Sequence, residues 1–213
     1  MAEKVLELLS ARRGHFLLES GHHGDRWFDL ESLCLHPRRV QDVAAGLTEP
    51  LSRLKVDAVC GPLVEGAFVA LLVAFRLNVR FTYSERFSRP AEGGLFPAGY
   101  RIPAPLRDGL RGTRVAIVND VINAGSAVRG TFDDLRDCGA TVVAISALLV
   151  LGTAAPEFAA SQSVPLHAIT TLPNNLWLPS ECPLCSARVP LEDIAGFAVT
   201  LPTRGPGRQG LLG

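Results

Sequence analysis

The sequence predicts an α/β fold: a central parallel sheet flanked by helices, with a small hood built from the N-terminal segment. Three observations predict it. Strand-like and helix-like segments alternate through the middle of the chain. The central strand segments are apolar runs rather than alternating ones, as expected of strands covered on both faces. The 213 residues are 47% hydrophobic and 20% charged, enough apolar surface for a sizeable core.

Each element has its own signal. Residues 2–12 read as an amphipathic helix with Val5, Leu8 and Leu9 on one face, and Arg12-Arg13 as its solvated end. Residues 15–18 and 26–30 read as short strands around the turn Gly21-His22-His23-Gly24, which exposes both histidines or turns them toward a ligand. Trp27 and Phe28 read as core, with stacking against a base as the alternative. A helix follows over 37–54, with Pro37 in its first turn. Residues 56–60 form a strand ending at Gly61-Pro62, and 64–77 a buried helix, its run 67–75 core throughout. Residues 79–83 are the next strand. Residues 84–99 hold Pro90, Gly93, Gly94, Pro97 and Gly99 and read as a long surface loop, the kind that is commonly functional. A strand at 114–118, a helix at 125–138 and a strand at 141–151 follow. One domain over 1–203 is expected, its hood mainly 1–35 with part of 165–203, and a disordered Gly-rich tail over 204–213.

Charge and cysteine content narrow the function. Lys+Arg and Asp+Glu are both 21, so no global charge grips nucleic acid or an anionic membrane. No apolar run reaches the ~20 residues a bilayer helix needs, and the acidic, amphipathic start is unlike a signal peptide. Five cysteines, an odd number, argue for a reducing, cytoplasmic setting. Cys34, Cys60 and Cys138 read as packing residues. Cys182 and Cys185 have the spacing of half a zinc site, to be completed by His167 or by a partner subunit; the plainer reading is two thiols in a tight turn.

The segment RVAIVNDVINAGSAVR, 114–129, carries the chemistry. An apolar strand ends in Asn119-Asp120, and a short loop of Asn123, Ala124, Gly125, Ser126 and Ala127 opens a helix. In a parallel sheet such a loop lies at a carboxyl strand end, where ligands bind. Free N–H groups at the helix start and the Ser126 hydroxyl can surround a phosphate, and Asp120 can accept sugar hydroxyls. The residues alone fit either this cradle or an ordinary strand-to-helix connection.

The same string resembles the phosphoribosyl pyrophosphate (PRPP) signature of type I phosphoribosyltransferases, and VINAGSAVR is most similar to the orotate phosphoribosyltransferases among them. Residues 16–30, 56–86 and 175–192 resemble the family's N-terminal segment, its pyrophosphate-loop unit and the C-terminus of some bacterial members. The resemblance implies transfer of ribose 5-phosphate from PRPP to a nucleobase, orotate giving orotidine 5-phosphate, with Mg²⁺ carried on PRPP and a homodimer as the assembly. It implies a PRPP site of Asn119, Asp120, Asn123, Ala124, Gly125, Ser126 and Ala127, and a pyrophosphate loop of Gly61, Pro62, Glu65 and Gly66. Asp120, Arg86 and Arg89 are the implied catalytic residues. The alternative is a PRPP- or nucleotide-binding relative with altered base specificity or a regulatory role.

Four departures bear on that expectation. Asn119 replaces an acid, and Asn123 replaces the threonine that usually starts the phosphate loop. The 84–99 loop holds no lysine, leaving Arg86, Arg89 and Arg101 as its nearby cations. Glu19 and Leu151 stand where cations that help to bind the orotate carboxylate are expected, so the sequence predicts poor use of orotate.

Overall fold

The structure is a computed structural model that describes residues 1–88 and 95–194. In chain order its elements are α1 (Ala2–Leu8), β1 (Ser10–Leu17), β2 (His23–Asp29), α2 (Pro37–Ala44), α3 (Thr48–Ser52), β3 (Ala58–Pro62), α4 (Glu65–Leu77), β4 (Arg80–Ser88), β5 (Ala98–Arg101), α5 (Ala104–Arg107), β6 (Arg114–Ile122), α6 (Ser126–Asp137), β7 (Thr141–Leu151), α7 (Ala154–Ser161), β8 (Leu166–Leu172), β9 (Leu176–Trp177) and α8 (Pro183–Ser186).

Six of these strands form one sheet in the order β5-β4-β3-β6-β7-β8. All neighbours pair in parallel except β4 and β5. The expected parallel sheet is therefore mixed, with one antiparallel edge. The chain runs outward from β3 to β4 and β5, then returns to lay β6 on the other side of β3. That reversal opens a crevice at the carboxyl ends of β3 and β6, where open α/β sheets bind ligands.

The central strands are buried on both faces because alternate residues enter different cores. Val59, Ala116 and Val118 join one core with the apolar residues of α1, α2 and α4. Ala58, Cys60, Val115 and Ile117 join the other with α6 and α7. The second sheet, β1-β2-β9, is antiparallel and forms the hood. Residues near the C-terminal end of the described chain return to it: Glu192 N–H donates to His15 O (2.8 Å) and Leu17 N–H to Glu192 O (2.9 Å).

Four local expectations are corrected. Helix α1 ends at Leu8, so Arg12 and Arg13 lie on β1 and not at a helix end. The 37–54 helix is interrupted by a 3₁₀ turn at Ala45–Leu47, where Gly46 weakens the helix and packs against Ile169. The loop at 84–99 is shorter, because β4 runs on to Ser88 and pairs with β5 through Glu85, Arg86 and Phe87. The 67–75 run is not core throughout: Ala67, Val69, Ala70, Val73 and Ala74 are buried, whereas Phe68, Leu71 and Phe75 are exposed. Arg89 and the 204–213 tail lie outside the described residues.

Candidate active site

A cavity of about 700 Å³ opens where β3, β6 and β7 meet the hood, a size usual for small-ligand sites. Its floor comes from two strand-to-helix connections. The first is the β3–α4 corner, with Pro62, Glu65 and Gly66 lining the cavity. Gly61 is required there by close approach: a Cβ would sit 2.6 Å from Ala67 Cα, Ala70 Cβ and the Gly66 carbonyl. Gly66 packs against the Asn119 side chain at the end of β6 and also has no room for a Cβ. The two corners of the site are thus in direct contact.

The second connection is the β6–α6 loop. Asn123, Ala124, Gly125, Ser126 and Ala127 all line the cavity. Gly125 adopts a left-handed conformation (φ 86°) that few side chains tolerate, and it starts α6 without a side-chain cap. The first N–H groups of a twelve-residue helix therefore open on the cavity with the favourable end of its dipole. Asn123 Oδ1 accepts from Asn174 Nδ2 (2.8 Å), which fixes the start of the loop.

The adjacent pair behaves unequally. Asn119 Nδ2 donates to the Val121 carbonyl (3.0 Å), so this amide spends its donor on its own strand end. Asp120 is 4% exposed. Burial pushes its carboxyl up to about 7, against backbone N–H donation from Val121 and itself, and with repulsion from Glu65 adding to the rise. A carboxylate this short of solvation suits a ligand that brings hydroxyl donors.

The hood closes the other side with Leu18, Glu19, Arg26, Trp27 and Phe28, while Leu151 comes from the end of β7. Glu19 is not left bare. Its carboxylate pairs with Arg86 Nε (3.0 Å) and accepts from Tyr100 Oη (3.0 Å). That cluster ties the hood turn to the β4–β5 ribbon, as does Phe96 N–H donating to Ser20 O (2.9 Å). Arg101 faces away, its guanidinium 5.2 Å from the Phe87 ring centroid. Arg26 lines the cavity, and among the described residues nothing hydrogen-bonds its buried Nε–H. Trp27 is half-buried at the cavity wall rather than in the core.

A second cluster lies at the far end of the hood. His15, His23, Cys182 and Cys185 converge, with one potential ligand atom from each lying within 4.8 Å of the others. His23 is 5% exposed, which corrects the expectation that both turn histidines face solvent. His167, expected beside the cysteines, is on β8 and takes no part. The Cys-x-x-Cys spacing was visible in the sequence. Its histidine partners were not, because they lie more than 150 residues away and follow no local spacing.

Comparison with known proteins agrees with this architecture. Residues 32–165 match the phosphoribosyl transferase domain family. The chain is 28% identical to an orotate phosphoribosyltransferase of Caldanaerobacter subterraneus over 89% of this chain and 94% of that one. It is 29% identical to an orotate phosphoribosyltransferase of Thermotoga maritima over 90% and 96%. Among solved structures, the orotate phosphoribosyltransferase of Aeropyrum pernix superposes with a TM-score of 0.60 at 24% identity, covering 80% of this chain and 93% of that one. The adenine phosphoribosyltransferase of Thermoanaerobacter pseudethanolicus gives 0.63 at 17% identity, covering 81% and 100%. At these identities the structures speak to fold, and the fold is shared by enzymes named for different bases. With its matched domain, mixed sheet and strand-end cavity, the chain belongs to the type I phosphoribosyltransferase superfamily.

Proposed function

We propose that the chain transfers ribose 5-phosphate from PRPP to a base of the orotate class, releasing pyrophosphate. The observation that carries this reading is the uncapped start of α6 at the cavity, with Ser126 beside it and Asp120 buried at the end of the preceding strand. Support also comes from sequence relatives named orotate phosphoribosyltransferase along nearly their whole length.

In this reading the N–H groups and hydroxyl of residues 123–127 hold the 5-phosphate. Asp120 accepts the ribose hydroxyls. Pro62, Glu65 and Gly66 border the pyrophosphate, and Gly61 behind them lets β3 lie against α4 so that this corner keeps its shape. A base nitrogen forms a bond to C1 as the C1–oxygen bond breaks, the electron pair leaves on pyrophosphate, and the base gives up its proton. Arg86, poised on Glu19, faces the growing negative charge. The Glu65 and Asp120 carboxylates, repelling each other across the floor, fit a divalent cation that arrives on PRPP. Mg²⁺ in that position supplies charge neutralisation for the leaving group.

The acceptor stacks among Trp27, Phe28 and Leu18, and Arg26 meets its carboxylate. The sequence offered no cation for that carboxylate at position 19 or 151; Arg26, with its unpartnered Nε–H, fills the role in this reading. A second reading, an uncharged acceptor, is favoured by Glu19 and Leu151 at the same wall. Orotate, uracil and adenine incubated separately with PRPP and Mg²⁺, with pyrophosphate as the readout, test both. Orotate-dependent release with a KM raised by Arg26→Ala is expected. Release with uracil or adenine alone favours the second reading. Tight PRPP binding without release for any base would make the chain a binding relative and overturn the catalytic one. The same reading carries a homodimer and a cytoplasmic location.

A further inference from the structure

We propose that His15, His23, Cys182 and Cys185 form a tetrahedral zinc site that staples the hood to the C-terminal segment. The donor atoms already have the spacing of such a site. His15 Nε2 lies 3.3 Å from Cys182 Sγ, 3.7 Å from Cys185 Sγ and 3.0 Å from His23 Nδ1, and Cys185 Sγ lies 3.3 Å from His23 Nδ1. Zn–S bonds of about 2.3 Å and Zn–N bonds of about 2.05 Å at tetrahedral angles put nitrogen and sulfur about 3.5 Å apart and two nitrogens about 3.3 Å apart. These four separations lie near those edges and the remaining two are within 4.8 Å, so an ion at the centre draws the donors together by no more than about 1 Å.

The cluster sets three possible hydrogen-bond donors around one acceptor, more than its single lone pair can use. His15 Nδ1 lies 2.8 Å from the Val189 carbonyl, which can only accept, so Nδ1 carries the proton and donates it there. Nε2 is then a bare lone pair directed at two sulfurs and a second imidazole. That carbonyl is the outer partner a metal-bound histidine needs to fix its tautomer. His15, His23 and Cys182 are buried and Cys185 is exposed, so the site is shielded but has an edge through which metal can enter. Two thiolates and two imidazoles in tetrahedral array are the donor set for Zn²⁺. With the protein filling all four positions, the site is structural rather than catalytic.

Its place in the fold gives it a task. His15 is on β1, His23 begins β2, and Cys182 and Cys185 bracket the start of the four-residue α8. A metal there closes a loop from residue 15 to residue 185. It also fixes the two strands whose connecting turn carries Glu19 into the active-site cavity. The inference stands apart from the proposed reaction, since it concerns ligation and not turnover.

Metal analysis of the full chain purified from zinc-supplemented growth is the test. One zinc per chain is expected, and a Cys34→Ser control retains it. Cys185→Ser, at an exposed position that folding tolerates, and His23→Gln each lose most of it. A cobalt-reconstituted wild-type protein reads the ligands without any substitution: thiolate-to-cobalt charge transfer in the near ultraviolet with intense tetrahedral visible bands is expected. Chelation should lower the thermal midpoint of wild type and leave that of Cys185→Ser unmoved. A wild-type protein with free thiols that neither contains zinc nor takes it up, zinc unchanged in both ligand variants, or an octahedral cobalt spectrum overturns the proposal.

Discussion

Asp120 is the residue whose chemistry is most open to measurement. Its folded-state value near 7 lies above the ordinary carboxyl value of 3.8, so the folded protein binds this proton more tightly than the unfolded chain does. Stability is therefore lost as pH rises from about 4, where the unfolded chain ionises, to about 7, where the folded one follows. A shift of that size corresponds to roughly 4 kcal/mol. Asp120→Asn should be free of this loss, so denaturant unfolding at pH 5 and pH 8 is expected to show the variant gaining about 2–3 kcal/mol on wild type at the higher pH. A pH-independent difference would mean that Asp120 is solvated. Arg86 offers a kinetic counterpart. In the proposed transfer its charge acts mainly on the departing pyrophosphate, so Arg86→Ala is expected to lower kcat on the order of 10²-fold or more while changing PRPP affinity far less. Lost PRPP affinity with kcat unchanged would assign Arg86 to ground-state binding. The string around Asp120 made its place at the end of β6, on the cavity, legible in the sequence. The Glu19–Arg86–Tyr100 cluster was not legible, because it joins three elements through side-chain directions that only the fold sets.

At the scale of elements, the β3–α4 corner is the most constrained. Gly61 lets the strand lie directly on the helix backbone, and neither neighbour can retreat. Gly61→Ala is expected to cost about 1–3 kcal/mol in stability and to weaken PRPP binding, read by chemical denaturation and calorimetry. A variant as stable as wild type would show that the corner has slack. The continuously apolar strands were readable from their shortness and their place between helix-like segments, because burial on both faces removes the alternation that would otherwise tell a strand from a buried helix. The edge ribbon was hidden for the opposite reason. β4 runs past its apolar half into Glu85 and Arg86 and is held there by cross-strand pairing with β5, which composition does not report. The prolines and glycines of 84–99 suggested a loop longer than the strands leave, since β4 reaches Ser88 and β5 begins at Ala98.

At the scale of the molecule, α4 shows what a single-chain reading of the sequence obscures. Phe68, Leu71 and Phe75 form an exposed stripe one face wide, with Val64 just before the helix. An apolar run reads as core whether another part of the chain or a second copy covers it. Here the stripe fits the proposed homodimer, and apolar patches of this kind mark interfaces. Light scattering should give twice the chain mass for wild type and the chain mass for Phe68→Asp/Phe75→Asp; a wild-type monomer would refute the assembly. The hood was legible as two strands and a turn, but its closure by β9 and residues up to Glu192 depends on contacts spanning most of the sequence.

The proposed transfer requires PRPP to bind with its 5-phosphate at the start of α6 and its ribose at Asp120. Calorimetric titration of PRPP with Mg²⁺ into wild type, Ser126→Ala and Asp120→Ala tests this most directly. Saturable binding by wild type is expected, weakened in each variant by about 1–3 kcal/mol, the range for a lost hydrogen bond to a charged or buried group. No binding to wild type, or the same affinity in all three proteins, would contradict it.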